Sequence, residues 1–208
     1  MVNKDKMKAF EVLDKLYPKD IGFLFADTPF QFLVSVCLSA QTTDAAVMRI
    51  TPILFSKYPD EKALSKAELS SVEEIIHPLG FYRVKAKNIV SLAKAILELG
   101  YIPDTIEELI KLPGVGRKTA NCYILHICSK SAIIVDTHFK RVAKRLGFTD
   151  EVDPDKVELD IKKHYDEAIW SRLSMVLNLH GRKFCYSKNP NCEACPVNAY
   201  CRSVKPSK

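Results

Sequence analysis

The chain has 208 residues, 47% of them apolar and 27% charged, with a formal net charge of +6. That is enough for one large domain or two small ones around a hydrophobic interior, and with 7 Gly and 11 Pro it is neither low-complexity nor disordered. No run of about 18 apolar residues is present to cross a membrane, and the opening MVNKDKMKAF is charged where a signal peptide would be apolar, so a soluble protein of the cytoplasm is expected.

In chain order the sequence reads as helices. Thr28-Pro29-Phe30-Gln31 offers an N-cap, a Pro at the first helical position and a Gln three residues after the cap. The run FQFLVSVCLSA continues as a mostly buried helix. Ser70-Ser71-Val72-Glu73 has the form of a capping box before a short helix that stops at His77-Pro78. From Tyr82 to Leu99, Ile89, Leu92, Ala93, Ile96 and Leu99 recur at helical spacing, and Gly100 closes that helix. Asp104-Thr105-Ile106-Glu107 opens another. Gly147 ends a helix that starts near Asp136, Asp153-Pro154 opens the next, and Gly181 is expected to close one ending at Leu179-His180. The one strand candidate, Ala132–Val135, is short and has no evident partner, so it reads as a buried extended linker.

The charge is clustered. Residues 105–149 hold eight Lys/Arg against three Asp/Glu, and 180–208 hold six against one, whereas 150–170 hold three against eight. This predicts two basic regions facing a polyanion and an acidic segment facing away. Of the seven cysteines, Cys37, Cys122 and Cys128 lie in apolar runs and read as small buried hydrophobes. Cys185, Cys192, Cys195 and Cys201 are spaced C-x6-C-x2-C-x5-C. Without a secretion signal, disulfides are not expected there. Four thiolates from one short segment can wrap a four-iron–four-sulfur cluster. Zinc is the alternative, but structural zinc sites usually show two close ligand pairs and only Cys192 and Cys195 form one.

Leu112-Pro113-Gly114-Val115-Gly116-Arg117-Lys118-Thr119 falls between two helices. Pro113 stops the first, and the glycines permit a tight turn with positive φ. The second helix then presents its leading N–H groups as an anion site, with no side chain on Gly114 or Gly116 to hold a phosphate off. A nucleotide-binding P-loop is excluded, because Arg117 rather than Gly precedes Lys118 and a helix precedes the turn. A plain helix–helix connector remains open on spacing alone.

LPGVGRKTAN resembles the helix-hairpin-helix of the endonuclease III family of DNA glycosylases. The resemblance continues in LSAQTTD (38–44), LGFYRVKAKNI (79–89), VDTHFKR (135–141), LHGR (179–182) and the terminal cysteines. These segments keep the family's order and cover nearly the whole chain.

The resemblance implies that Lys118 is the nucleophile and Asp136 its catalytic partner. A lysine must lose its proton to attack, and the positive end of a helix favours the neutral amine; partial burial and Arg117 would act in the same direction. Taken by itself, Lys118 could equally bind phosphate and Asp136 could simply cap a helix. The resemblance further implies that Gln41 fills the space opposite a flipped nucleotide and that Phe81, where the family often has Leu, wedges the base stack. Gly114, Val115 and Gly116 would contact the DNA backbone, as would His138, Arg182 and Lys188. Taken singly, Gln41 reads as an ordinary surface residue, Phe81 as core and His138 as a helix-surface histidine. Asn189 and Asn191 make the loop before Cys192 less basic than is usual in the family.

The resulting expectation is an all-α, two-lobed fold. A six-helix lobe, 21–132, would carry the hairpin; residues 1–20 and 133–208 would form the iron–sulfur lobe, with the active site in the cleft between. The expected protein is a base excision repair enzyme, a monomer and nucleoid-associated. It would combine N-glycosylase and β-lyase action on double-stranded DNA holding a damaged base, most naturally an oxidised pyrimidine, or an abasic nucleotide. Its rivals are an adenine-mismatch glycosylase, which Lys118 argues against, a glycosylase for alkylated purines, and a non-catalytic DNA-binding module.

Overall fold

Thr28 shows how local chemistry starts a helix in this chain: its hydroxyl accepts the Gln31 N–H at 3.2 Å, and Pro29 occupies the position whose N–H would otherwise go unused. The computed structural model describes residues 4–19 and 26–204, and these are helical and irregular with no strand among them. The fold class is therefore all-α. No helix among the described residues is long and apolar enough to cross a membrane. The chain divides into two compact units, Gly22–Lys130 and Met1–Ile21 with Ser131–Lys208. The first boundary expected from the sequence, at 20–21, lies outside the described residues.

The Gly22–Lys130 unit contains α2 (Pro29–Leu38), α3 (Asp44–Lys57), α4 (Glu61–Ser65), α5 (Leu69–Ile76), α6 (Tyr82–Leu99), α7 (Ile106–Leu109) and α8 (Arg117–His126). Residues Phe30 through Leu38 are all buried, as the apolar run requires. The polar members are satisfied inside: Gln31 Nε2 donates to Pro59 O at 3.0 Å and Ser35 Oγ to Gln31 O at 2.8 Å. Helix α6 buries Ala86, Ile89, Val90, Leu92, Ala93 and Ile96 and ends at Gly100 with φ 76°. Leu99, expected in that stripe, is exposed at the helix end. Helix α5 departs from expectation as well. It begins at Leu69, after a Glu68 cap that makes no side-chain hydrogen bond, so the Ser70–Glu73 capping box is not used. Burial of Val72 and Ile76 goes with a start two residues earlier than a Ser70 cap would give.

The other unit contains α1 (Lys4–Leu16), α9 (Thr137–Leu146), α10 (Pro154–His164) and α11 (Glu167–Lys183). Phe10, Leu13, Phe139, Val142, Leu173, Val176 and Leu177 form its core; each fully buried side chain of this size contributes roughly 1.5–3 kcal/mol. Arg172 on α11 fastens α1. It donates to the carbonyls of Asp14 and Tyr17 at 2.7 Å each and of Pro18 at 2.6 Å, and pairs with the Asp14 carboxylate. Gly181 does not close a helix. It lies inside α11, where a β-carbon would stand 2.9 Å from His138 Cβ and 3.1 Å from Val142 Cγ2. Its bare Cα is what lets α9 and α11 approach. Ala132–Val135 is in neither helix nor strand. Serine hydroxyls of α11 meet its backbone: Ile134 N–H donates to Ser174 Oγ at 2.9 Å, Ser174 Oγ donates back to Ile134 O at 2.9 Å, and Ala132 N–H donates to Ser171 Oγ at 3.2 Å.

Candidate functional site

In the hairpin, Leu112 and Val115 are each 6% exposed and anchor the turn between α7 and α8. Val115 N–H donates to Leu112 O at 3.1 Å. The Val115 side chain therefore belongs to the core, and only its backbone is available to a ligand. The two glycines serve different ends. Gly114 has φ 75°, and a β-carbon there would stand 2.8 Å from Asn88 Cβ. Gly116 has ordinary extended geometry, φ −92° and ψ 172°, so the expectation of positive φ fails there. Open space surrounds it, and as the N-cap of α8 it offers no capping side chain. The leading N–H groups of α8 thus point past a bare Cα, the arrangement an anion needs.

Lys118 is the second residue of α8. It is exposed rather than partly buried. One turn on, burial pushes the Cys122 thiol up to about 12, with Lys118 opposing and Asp44 reinforcing the shift. Cys122 therefore remains a neutral thiol beside the amine. Gln41 and Phe81 are both exposed, which rules out a core Phe81; that ring is 69% exposed. Both residues take left-handed backbone, φ 54° and 47°.

In the other unit, Asp136 caps α9 as its position before the helix suggests: one carboxylate oxygen accepts the Phe139 N–H at 2.7 Å. Its second oxygen accepts the side-chain amide of Asn178, whose own oxygen accepts Arg182 Nε at 2.9 Å. Arg182 thus orients a relay as well as lying exposed. His138 Nδ1 lies 3.2 Å from Arg141 Nη2. Lys188 is exposed in the cysteine loop. The asparagines that make this loop less basic have structural uses. Asn189 adopts φ 49°, which asparagine tolerates well, and Asn191 Oδ1 accepts the Ala194 N–H at 3.4 Å.

Cys185, Cys192, Cys195 and Cys201 line one cavity of about 190 Å³ with Leu146, Phe184, Pro190 and Val204. All four are half-buried free thiols. Among the described residues no three His, Cys, Asp or Glu side chains converge on a point that one ion could occupy. Four thiols from one short segment around a shared hollow would suit a four-iron–four-sulfur cluster, in keeping with their spacing. The surrounding donors fit thiolates: Arg145 Nη1 donates to Cys185 Sγ at 3.3 Å, and His180 Nε2 lies 3.3 Å from Cys195 Sγ. His180 is 1% exposed and is held from its other side by Tyr17, Oη to Nδ1 3.2 Å.

Sequence reasoning missed several of these partners. Asn178 lies one helical turn before Arg182 on the face that meets Asp136, and that spacing is its only sequence signal. Arg141 and Arg145 were counted toward a surface for a polyanion. Arg141 instead donates to Gly181 O and Cys185 O at 2.9 Å, and Arg145 to Tyr186 O at 2.6 Å and Ser187 O at 3.1 Å. Their charge holds the cysteine loop.

Residues 34–167 match the family model of the HhH-GPD superfamily base excision DNA repair proteins, and residues 185–201 match the iron–sulfur binding domain of endonuclease III. The endonuclease III of Synechocystis sp. is 42% identical, over 97% of this chain and 95% of its own length. That of Bacillus subtilis is 40% identical, over 91% of this chain and 90% of its own. Among solved structures, a trapped endonuclease III–DNA covalent intermediate superposes with a TM-score of 0.89 at 36% identity, covering 98% of this chain and 97% of the other. Matched by both family models and by relatives 40–42% identical over more than nine-tenths of its length, the chain belongs to the endonuclease III family of the HhH-GPD superfamily.

Proposed function

We propose that this protein is a bifunctional DNA N-glycosylase and AP lyase of base excision repair, with Lys118 as nucleophile and Asp136 as its partner. Its substrate is double-stranded DNA containing a damaged base, an oxidised pyrimidine in particular, or an abasic nucleotide. It acts as a monomer in the cytoplasm, on the nucleoid. The observation that carries the reading is the likeness to an endonuclease III captured in a covalent DNA complex, joined to an exposed lysine in the first turn of the hairpin helix.

The neutral Lys118 amine attacks C1′ of the damaged nucleotide. The C1′–N bond breaks, and the base departs with the bonding electrons and takes up a proton. Loss of the sugar ring oxygen from C1′ leaves an iminium between Nζ and C1′. A proton then leaves C2′, the C3′–O bond breaks, and the 3′ phosphate departs; water finally releases Lys118. Asp136 is held rigidly by Phe139 N–H and Asn178. Its carboxylate stabilises the positive charge that develops at the sugar and assists the proton transfers. Gly114 and Gly116 with the Val115 backbone, together with His138, Arg182 and Lys188, contact phosphates, while Gln41 and Phe81 occupy the gap left by the flipped nucleotide. The four cysteines hold a four-iron–four-sulfur cluster, which keeps their loop folded.

Borohydride reduction tests this reading. The protein should become covalently linked to a duplex with an abasic site, and Lys118→Ala should lose the link while keeping most of its DNA affinity. A Lys118→Ala variant that still traps would refute the assignment; an unmodified protein that binds but never traps would make it a binding module.

A further inference from the structure

Gln41 and Phe81 are not glycines, yet both hold left-handed backbone, φ 54° and 47°. For a residue with a β-carbon that costs about 1 kcal/mol or more, and it persists only where the surroundings over-determine it. The two turns are far apart in sequence, and one buried side chain joins them. Lys85 on α6 is 7% exposed. Its ammonium donates to Thr42 Oγ1 at 2.5 Å and to Leu79 O at 3.1 Å. The Thr42 hydroxyl donates in turn to the same Leu79 carbonyl at 2.7 Å. Thr42 directly follows Gln41, and Leu79 precedes Phe81 by two residues. Lys85 N–H also donates to Phe81 O at 3.0 Å. A closed set of three contacts therefore pins both strained turns to one helix.

This placement is expensive. The partners are neutral oxygens, and burial alone holds the Lys85 ammonium below the ordinary lysine range. A methionine would fill the same space without taking a cation out of water. A charged hub that costs stability makes sense if it fixes geometry, and what it fixes here is two exposed side chains on rigid stalks.

We propose that Lys85 is a positioning residue: through Thr42 and Leu79 it sets the spacing at which Gln41 and Phe81 enter the duplex. The inference rests on the DNA-repair reading above and adds a residue to it. Removing the hub leaves both side chains present but loosely aimed. It should slow extrusion of a stacked base far more than cleavage at a site that has no base left to extrude.

Lys85→Met, Thr42→Val and Thr42→Ser decide it, each compared with the unmodified holoprotein. Two rates are read under single turnover: release of a damaged base from duplex DNA, and strand cleavage at a preformed abasic site. Lys85→Met and Thr42→Val should slow base release on the order of 10–100-fold more than cleavage, the penalty expected for small misplacements. Thr42→Ser, which keeps the hydroxyl, should restore base release. Thermal unfolding is followed in parallel, and if Lys85→Met does not fold, the Thr42 pair carries the test. Equal slowing of the two rates, or equal behaviour of Thr42→Val and Thr42→Ser, overturns the proposal and leaves Lys85 a stabilising residue. Absence of both activities in the unmodified protein would instead bring down the repair reading and this inference with it.

Discussion

The side-chain amide of Asn178 donates to the Asp136 oxygen that the α9 cap leaves open. Both carboxylate oxygens are thereby committed, and Arg182 fixes which way the Asn178 amide faces. Asp136→Asn is therefore not a silent change of charge. Asparagine caps a helix about as well as aspartate, but with its oxygen on Phe139 its NH2 group would face the Asn178 NH2. The expected result is a stability loss of about 1 kcal/mol and a fall in base release of roughly 100-fold or more. Asn178→Ala should keep the cap and slow release about 10-fold or more, the worth of a hydrogen bond to a charged group. Denaturant titration and single-turnover rates check both; unchanged rates in Asn178→Ala would remove it from the active site.

Gly181 should resist substitution. Alanine ordinarily gains about 1 kcal/mol over glycine inside a helix. Here the added carbon would meet His138 Cβ at 2.9 Å, an atom fixed to the α9 backbone. Overpacking costs about 1–3 kcal/mol, so Gly181→Ala should be destabilising on balance, with its unfolding midpoint shifted down. A gain in stability would mean that α9 and α11 can separate without penalty.

Acid should weaken the fold through His126. Burial holds this imidazole below its ordinary value of 6.5, and it packs against Phe32 with ring centroids 5.7 Å apart. Between the folded value and about 6.5, the unfolded chain binds more protons than the folded one. Stability therefore falls as pH drops below about 6.5, by at most about 1.4 kcal/mol per pH unit for one proton. The loss levels off below the folded value. His126→Phe should lack this component, read as the difference between the two stability–pH curves from pH 5 to 7; parallel curves would acquit His126.

Iron and acid-labile sulfide should each be found at about four per chain. Cys195→Ala should lose most of both, and limited proteolysis should then cut first within 185–204, a segment whose packing against the core rests on few residues, Val197 among them. Full iron content in that variant would show that Cys195 is not a ligand.

The helices were legible because their caps are local: Thr28, Asp136 and Asp153 each accept the N–H their position predicts, and the helix expected to open at Asp104 is capped one residue on, at Thr105. The hairpin and the cysteine quartet were legible for the same reason, since each is a short contiguous pattern. What escaped was set by contacts distant in sequence. Gly181 looked like a stop because glycine commonly ends helices, whereas its role is imposed by His138 on another helix. Arg141 and Arg145 looked like surface charge until the carbonyls of the cysteine loop gave them partners. Asn178 carries no motif, and only the approach of α11 to the α9 cap reveals it.

The Arg172 clamp on α1 has a consequence for how the molecule is made. Three carbonyls at the end of the first helix are satisfied by a guanidinium 154–158 positions further along the chain. A nascent chain therefore carries α1 with no guanidinium to seat it until α11 has left the ribosome, whereas Gly22–Lys130 already holds its own contacts. Helix α1 is made well before the residue that clamps it, and pulsed hydrogen exchange during refolding should find its amides protected after those of α6.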